Sequence, residues 1–228
     1  MSKLLNVKES FYTLQGEGAR AGRASVFIRF SKCNLWNGKE SGRETALCQF
    51  CDTDINGTDG LNGGSYRPAE LLQLAIDLWP GLKEGKAFGK PYIVFTGGEP
   101  ALQLTEELVA LFQNAGFECA VESNGTLALP NNLDWVCISP KGKSKVIIKQ
   151  CDELKIVYPQ TDIQPEDVLH INADHYFISP MATYGLDNSG MIIRENMSSA
   201  TQYCLQNPLW RMSLQTHKLL GIDWSYGL

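Results

Sequence analysis

Three cysteines lie in one stretch of the sequence, CNLWNGKESGRETALCQFCDT, which spans residues 33 to 53. Fourteen residues separate Cys33 from Cys48, and two separate Cys48 from Cys51. A structural zinc site needs four donors and a disulfide needs two, so three thiolates would leave one position of a metal centre open. An open coordination position allows a small molecule to bind and react. The triplet therefore suggests a reactive centre.

The residue types alone leave several interpretations of the triplet open. Cys48 and Cys51 alone would suit a redox pair or half of a zinc site, but there is no second Cys-x-x-Cys, and the only histidines are His170, His175 and His217. Three thiolates also suit a [4Fe–4S] cluster in which the protein leaves one iron without a ligand. The remaining cysteines lie in or near apolar segments and are expected to be buried small hydrophobic residues: Cys119, Cys137, Cys151 and Cys204.

The composition is typical of a globular protein, with 228 residues of which 43% are hydrophobic and 20% charged. A chain of this length buries roughly 70% or more of its unfolded surface. The net charge of -5 and the pI of about 5.3 predict no basic face for nucleic acid. No apolar run approaches the roughly 20 residues that span a bilayer, and the first ten residues lack the apolar region of a signal peptide. We therefore expect no membrane partner, a cytoplasmic location and reduced thiols.

Short apolar segments alternate with amphipathic helical patterns along the chain. The segment from Ala24 to Ser31 predicts a strand that leads into the cysteines. A helix is predicted from Pro68, with Leu71, Leu74, Ala75, Leu78 and Trp79 on one face. Another follows, with Thr105 as N-cap and Gly116 as its stop. Further strands are predicted at PYIVFTGG, FECAVES, WVCISP, ELKIVY and HYFISP, then a helix over about 189–205 and a last segment WRMSLQTH.

This alternation predicts an α/β fold with a mainly parallel sheet, in one domain over residues 1–228 with an extended loop at about 33–64. The distinctive polar motifs follow the predicted strands: TGGEP, ESNGT, SPK, SPM and QTHK, besides the cysteines. The carboxyl ends of parallel strands carry the ligand site in such folds, so these motifs should converge.

Several motifs together resemble one enzyme family. Three cysteines after a strand and GGEP after the next strand resemble the radical S-adenosylmethionine enzymes, although the usual loop has only three residues between its first two cysteines. FYTLQGEG, FIRFSKCN, CDT, TGGEP, SPK and QTHK together are similar to the 7-carboxy-7-deazaguanine synthase family, in which extended cysteine loops occur. The similarity runs from about Phe11 to Asp223. It implies a partial (β/α) barrel with a radical S-adenosylmethionine core.

The resemblance implies a [4Fe–4S] cluster on Cys33, Cys48 and Cys51, with the open iron chelated by S-adenosylmethionine. Gly97 and Gly98 lack side chains and would allow the backbone to approach the cofactor closely. The other residues that match cofactor-binding segments of the family are Phe50, Asp52, Glu122, Ser123, Ser139, Pro140, Lys141, Ser179, Pro180, Met181 and Ala182.

The family substrate is 6-carboxy-5,6,7,8-tetrahydropterin, and the product is 7-carboxy-7-deazaguanine. The resemblance implies that Arg29 pairs with the substrate carboxylate and that Thr53 ligates a Mg²⁺ ion. Other residues that match substrate contacts are Leu14, Gln15, Gly16, Glu17, Thr96 and His217. The chain end of close relatives reaches the substrate, and Asp223 matches that end here, with Leu228 as the alternative. An electron donor such as a flavodoxin and a homodimer are further family expectations.

Two other functions stay open at this stage. A radical enzyme that makes a glycyl radical on a partner protein would share the cluster but would need a wide opening for a polypeptide. A non-enzymatic zinc- or iron-binding module would need only the cysteines. The motifs LQGEG and QTHK argue against the activase, whereas the iron and sulfide content of reconstituted protein would separate the metal-binding module.

Overall fold

One nine-stranded sheet organises residues 4–182 and 194–222, which are the residues that this computed structural model describes. The strands are β1 (Leu5–Leu14), β2 (Ala24–Phe30), β3 (Gly64–Tyr66), β4 (Tyr92–Gly97), β5 (Glu118–Ser123), β6 (Trp135–Ile138), β7 (Gln150–Tyr158), β8 (Asn172–Pro180) and β9 (Arg211–Met212). Their order across the sheet is β3-β1-β2-β4-β5-β6-β7-β8-β9. Every pair from β2 to β9 is parallel. The predicted α/β fold of mainly parallel strands is confirmed.

The edge formed by β1 and β3 is antiparallel, and the sequence analysis does not predict either strand. The segment of β1 contains Lys8, Glu9 and Ser10 in its middle, so it lacks the apolar run that marks the parallel strands. Lys8 and Ser10 are nevertheless buried, and the pairing with β2 is irregular between Val7 and Glu9. Contacts between these polar groups and distant residues determine that this segment forms a strand. A short sequence pattern does not reveal such contacts.

The helices of the described residues are α1 (Pro68–Leu78), α2 (Glu106–Asn114), α3 (Arg194–Gln206) and α4 (Thr216–Leu219). α4 contacts the chain that follows β1, whereas α1, α2 and α3 pack against the sheet. The predicted start at Pro68 and the N-cap at Thr105 are confirmed, because the Leu108 N–H donates to the Thr105 hydroxyl at 3.2 Å. Gly116 follows α2 with φ of 93°, the left-handed conformation that suits a helix end. Of the helix predicted over 189–205, residues 189–193 lie outside the described part.

The core lies between the sheet and these helices. Ile93 and Phe95 of β4 are fully buried, and the ring of Phe95 meets the edge of Phe112 from α2 at 5.3 Å between ring centroids. A second apolar cluster includes Ile156 of β7 and Ala200 of α3. Alternate residues of a strand point to opposite faces, so the neighbours of these core residues face the other side.

That other face is closed near the amino ends of the parallel strands by a row of stacked side chains. The guanidinium of Arg20 lies 4.2 Å from the ring centroid of Trp135, which stacks on His175 at 5.8 Å. His175 in turn lies 6.4 Å from Phe177, and the Arg211 guanidinium lies over Phe177. His175 is therefore a packing residue. The carboxyl ends of the strands stay available for a site.

No helix within the described residues is long and apolar enough to cross a membrane. The described cysteines outside the triplet behave as the sequence predicts, since Cys119, Cys137 and Cys151 are buried and Cys204 is partly buried. The assignment of the whole chain to one domain stays a prediction.

Candidate active site

A cavity of about 400 Å³ lies at the carboxyl ends of the parallel strands. Its wall combines residues of β2, β4, β5, β7 and β8 with several connecting segments. These include the chain that follows β1, the cysteine loop (residues 31–63, between β2 and β3), the chain that follows β6 and the chain around α4. The predicted convergence of the motifs that follow the strands is thus observed.

Most of the predicted site residues line this cavity. On the predicted cofactor side these are Cys33, Cys48, Phe50, Cys51, Asp52, Gly98, Glu122, Ser123, Ser139, Lys141, Ser179, Pro180, Met181 and Ala182. On the predicted substrate and magnesium side they are Gln15, Gly16, Glu17, Arg29, Thr53, Thr96 and His217. Their individual roles stay predictions, but one cavity brings them together.

Four predicted site residues are not placed there. Leu14 and Pro140 do not line the cavity, although Gln15, Ser139 and Lys141 beside them do. In extended backbone, neighbouring side chains point to opposite sides, which accounts for both exceptions. The predictions for Asp223 and Leu228 fall outside the described residues.

The three cysteines meet at the loop side of the cavity. The Leu35 N–H lies 3.4 Å from the Cys33 sulfur, and burial raises the pKa of the Cys33 thiol. A hydrogen bond from the Cys48 thiol lowers the pKa of Cys51 to about 7, so these two sulfurs are neighbours. A lowered thiol pKa favours the thiolate, which is the form that binds metal. All three sulfurs thus face one space from a single loop.

The donor set fits a cluster better than a single ion. Among the described residues, no three His, Cys, Asp or Glu side chains are arranged around one metal-ion position. A [4Fe–4S] cluster does not need that arrangement, because each thiolate binds a different iron atom at a corner of the cluster. Of the seven cysteines in the chain, Cys33, Cys48 and Cys51 are those that line the cavity. These three residues would hold such a cluster.

The cysteine loop has little regular structure and is held by two cationic side chains. Within it, Arg43 donates to the carbonyl oxygens of Gln49 and Cys51 at 2.9 and 3.1 Å, and its guanidinium lies 4.3 Å from the centroid of Trp36. At its base, the Lys8 ammonium lies 2.6 Å from Asp54 and 2.7 Å from Asp59.

Lys8 also donates to the Asn56 carbonyl oxygen at 2.9 Å. One buried lysine of β1 therefore binds three residues of the cysteine loop. Burial alone would lower the pKa of Lys8, but its hydrogen bonds to the Asp54 and Asp59 carboxylates outweigh burial and raise the pKa. The lysine is therefore charged at neutral pH.

The segment TGGEP fixes the start of the cysteine loop against β4. A Cβ on Gly98 would lie 1.8 Å from the Lys32 carbonyl oxygen, and one on Gly97, whose φ is 109°, would lie 2.4 Å from the Phe30 carbonyl oxygen. The Gly98 N–H donates to that Phe30 oxygen, and the Glu99 N–H donates to the Lys32 oxygen, both at 2.9 Å. The glycines are therefore required by this backbone contact, whatever the cofactor needs.

Glu99 ties the ends of β4 and β5 together. Its carboxylate, fully buried, accepts from the Ser123 hydroxyl at 2.8 Å and from the Asn124 N–H at 2.9 Å. The Ser123 hydroxyl also accepts from the Gly125 N–H at 3.0 Å. A ribose hydroxyl would have to compete with these bonds for Ser123. Glu122, by contrast, faces the opposite half of the cavity, where Gln15 donates to its carboxylate at 3.0 Å.

Lys141 connects the cysteine loop to the end of β6. Its ammonium donates to the Ser139 hydroxyl at 2.6 Å and lies 5.8 Å from the ring centroid of Phe50. The three residues form a polar and aromatic surface beside Cys51, which suits an adenosyl group with a stacking face and hydroxyl groups.

The two motifs that define the resemblance pack directly on each other. The Thr216 N–H and hydroxyl both donate to the Gly16 carbonyl oxygen, at 3.0 and 2.8 Å. A Cβ on Gly16 would lie 2.1 Å from Nδ1 of His217, so glycine is needed for this imidazole to sit where it does. Burial lowers the pKa of His217, which keeps the ring largely neutral at pH 7. LQGEG and QTHK thus build one wall.

Arg29 stands at the end of β2 with its guanidinium over the ring of Phe11. Its Nη1 lies 3.0 Å from the carboxylate of Glu9. A guanidinium has five N–H donors, so one ion pair leaves donors for a ligand carboxylate.

The cavity also contains residues that the sequence analysis does not single out. The most consequential is Lys155 of β7, whose ammonium lies 2.7 Å from Glu17. Its signal is visible in the strand ELKIVY, where Glu153 and Lys155 are charged residues at alternate positions of an otherwise apolar run. Other unpredicted lining residues are Phe27, Leu35, Trp36, Asn124, Val157, Gln215 and Lys218.

The fold and site together define an α/β protein with a partial barrel whose open end carries three cysteines beside a polar cavity. The solved structure described as QueE from Escherichia coli has this fold, with a TM-score of 0.66 over 92% of this chain and 93% of that chain. Its sequence identity is 23%, so it supports the fold alone. No protein-family model matches the chain.

Relatives of known name share much more sequence. A 7-carboxy-7-deazaguanine synthase of Bordetella pertussis is 49% identical over 95% of this chain and 98% of that protein. The proteins of the same name from Bradyrhizobium diazoefficiens and Nitratidesulfovibrio vulgaris are each 48% identical, over 95% of this chain and 98% of theirs. The chain therefore belongs to the 7-carboxy-7-deazaguanine synthase family. This membership favours the synthase over the glycyl-radical activase and the metal-binding module that the sequence left open.

Replacement of Lys8 by Met tests the attachment of the cysteine loop. We expect trypsin to cleave the loop at Lys39 or Arg43 roughly threefold faster or more, because Lys8 no longer holds its base. The midpoint of global unfolding should change little. The matched control is Lys143→Met, which removes an exposed ion pair with Asp162. Equal cleavage of the Lys8 and Lys143 variants would show that Lys8 does not anchor the loop.

Proposed function

We propose that this chain converts 6-carboxy-5,6,7,8-tetrahydropterin into 7-carboxy-7-deazaguanine with release of ammonia, an early step toward queuosine-type bases. The observation that carries the proposal is the cavity in which the cysteine triplet faces a wall built from LQGEG and QTHK. The family membership agrees with this assignment. Atoms balance, because one substrate nitrogen leaves as ammonia while the ring contracts.

In this proposal Cys33, Cys48 and Cys51 hold a [4Fe–4S] cluster, and S-adenosylmethionine completes it. When bound, this pair supplies a 5′-deoxyadenosyl radical, and that chemistry belongs to the cofactors. The protein orients them and excludes water. Phe50, Asp52 and Lys141 contact the adenosyl group, whereas the residues at the ends of β4, β6 and β8 surround the methionine part and the ribose.

The substrate occupies the other half of the cavity. Gln15 and Glu17 read the donor and acceptor edge of the pterin, and Arg29 pairs with its carboxylate. His217, which is largely neutral, has one ring nitrogen that donates and one that accepts. Thr53 would supply a hydroxyl ligand to Mg²⁺, and the ion would help to hold the substrate. A flavodoxin-like electron donor and a homodimer complete the proposal.

The direct test is turnover. Anaerobically reconstituted protein is expected to be brown with about four irons and four sulfides per chain. With the carboxypterin, S-adenosylmethionine, Mg²⁺ and a reductant, it should form 7-carboxy-7-deazaguanine and one ammonia per product, measured by liquid chromatography and an ammonia assay. Removal of Mg²⁺ by a chelator should lower the rate. A colourless zinc protein, or cofactor cleavage without the deazaguanine, would contradict the proposal.

Substitution of each cluster ligand tests the metal assignment. Cys33→Ala, Cys48→Ala and Cys51→Ala should each lower iron to under about one per chain and abolish cofactor cleavage, because a three-thiolate site has no spare ligand. Cys119→Ala is the matched control, since that cysteine is fully buried in the apolar core and does not line the cavity. If the control loses iron equally, the ligand assignment is wrong.

Arg29→Lys separates substrate recognition from cofactor chemistry. Lysine can still pair with Glu9 but lacks the planar fork that holds a carboxylate by two bonds, so KM for the carboxypterin should rise about tenfold or more. Formation of 5′-deoxyadenosine without substrate should stay within about twofold of the wild-type rate. Equal losses in both assays would mean that Arg29 has only a structural role.

A further inference from the structure

A lysine lies buried on the inner face of β7. Lys155 stands between Leu154 and Ile156, which face the apolar core and are fully buried, and its own side chain is 7% exposed. A buried ammonium is costly unless anionic groups surround it. The position of Lys155 in the cavity wall therefore requires an explanation beyond packing.

Three carboxylates from three elements surround this ammonium. Oε2 of Glu17 lies 2.7 Å from Nζ of Lys155, and Oε2 of Glu122 lies 3.9 Å from it. Glu153 is two residues earlier on β7, on the same face, and accepts from the Ala19 N–H at 3.0 Å. One cation thus interacts with carboxylates from the segment after β1, from the end of β5 and from β7.

The second carboxylate oxygen of Glu17 and of Glu122 also accepts a hydrogen bond. Oε1 of Glu17 accepts from the Gln215 side chain at 2.9 Å, and Oε1 of Glu122 accepts from the Gln15 side chain at 3.0 Å. Both carboxylates are therefore fixed in orientation. Gln15, Glu17 and Glu122 all line the cavity, and Gln15 and Glu17 are predicted substrate contacts.

The charge state follows from this geometry. Burial alone would raise the pKa of Glu17, but the charge of Lys155 and the hydrogen bonds from Lys155 and Gln215 lower it to about 2. Burial alone would lower the pKa of Lys155, and the surrounding carboxylates raise it well above its usual value. Burial raises the pKa of Glu153, so the three acids are not equivalent.

We propose that Lys155 is a positioning residue that keeps Glu17 ionised and aims the carboxylates of Glu17 and Glu122 at the ring N–H donors of the pterin. The inference rests on the proposed function because it names the pterin as the group that these carboxylates meet. A carboxylate accepts from two adjacent N–H groups, whereas a protonated one has lost half of that capacity. Lys155 would act through the acids rather than touch the reacting atoms.

Several titratable and charged groups face this cluster from the elements around it. Besides the three acids they are Cys137 of β6, Tyr92 of β4, Arg20 of the segment after β1, and His217 of α4. His217 has a lowered pKa because of burial, and Arg20 contacts Trp135 and Glu118. Lys155 is in ion-pair contact with both Glu17 and Glu122.

The first test measures binding of 6-carboxypterin, a fluorescent oxidised analogue of the substrate, to reconstituted protein between pH 6 and 8.5. Lys155→Met should bind it about tenfold or more weakly at pH 6, and this loss of affinity should shrink toward pH 8.5 as Glu17, left buried without its cation, ionises. Iron content should match the wild type. Lys143→Met, which makes the same change at an exposed site, should bind like the wild type throughout. If Lys155→Met binds the analogue as tightly as the wild type, or if its loss of affinity is the same at every pH, the proposal is overturned.

The second test needs no substrate and therefore separates this inference from the proposed function. In the wild type, the low pKa of Glu17 gives stability that is fully present above its usual pKa of 4.5 and is lost as pH falls toward 2. Without Lys155, burial raises that pKa, so the ionised acid destabilises the fold at pH 8 and protonation relieves it near pH 5. The difference in Tm between wild type and Lys155→Met should therefore narrow from pH 8 to pH 5.

A Tm difference that is equal at both pH values overturns the inference even if turnover is confirmed. Conversely, a narrowing difference in a protein without turnover supports the charge assignment while the proposed function fails. If Lys155→Met does not fold, the double variant Glu17→Gln/Lys155→Met should recover folded protein, because the nearest acid leaves together with its cation. A double variant as unstable as the single one counts against the proposal.

Discussion

The site depends on one close contact between two backbones, at the carboxyl ends of β2 and β4. Gly97 and Gly98 lie so near the Phe30 and Lys32 carbonyl oxygens that a side chain at either position would overlap them. Two hydrogen bonds run between the same segments. Because Cys33 follows Lys32 directly, this contact sets where the cysteine loop begins relative to the parallel sheet. The loop needs such an anchor because it has almost no regular structure of its own.

From that anchor, polar contacts rather than apolar packing hold the rest of the site. Lys8 gathers the base of the loop, Glu99 joins the ends of β4 and β5, and Lys155 joins β7 to the chain that follows β1. Burial of each charge costs several kcal/mol unless partners offset it. Each of these groups therefore requires particular neighbouring residues. The apolar core on the other face tolerates repacking far better. The site therefore has a narrower range of acceptable sequences than the scaffold that carries it.

This division explains what the sequence predicts well. Parallel strands such as β4 and helices such as α1 carry continuous or periodic apolar patterns, and local capping residues mark their ends, as at Thr105. The position of the cavity follows from the rule that carboxyl ends of strands carry ligands. Nearly all of the predicted lining residues come from motifs at those ends. The family resemblance identified the individual residues within each motif.

What the sequence does not predict depends on contacts between distant residues. β1 has a polar middle that becomes buried only because Lys8 meets acids some fifty residues away, and Lys155 meets Glu17 across an even longer separation. Leu14 and Pro140 were assigned from motifs, and the alternation of extended backbone turned their side chains away. A motif identifies a segment, whereas the direction of each side chain follows from the backbone that the segment adopts.

The end of β5 shows how the cavity is divided between its two proposed ligands. Glu122 is held by Gln15 and Lys155 on the substrate side, while Asn124, two residues later, is held by Glu99 and donates to Asn34 in the cysteine loop at 3.0 Å. Ser123 between them is fully engaged with Glu99. Adjacent residues of one strand end thus belong to opposite halves of the cavity. The end of β5 therefore links the chain that follows β1 to the cysteine loop, so a shift of this strand end would move both walls of the cavity together.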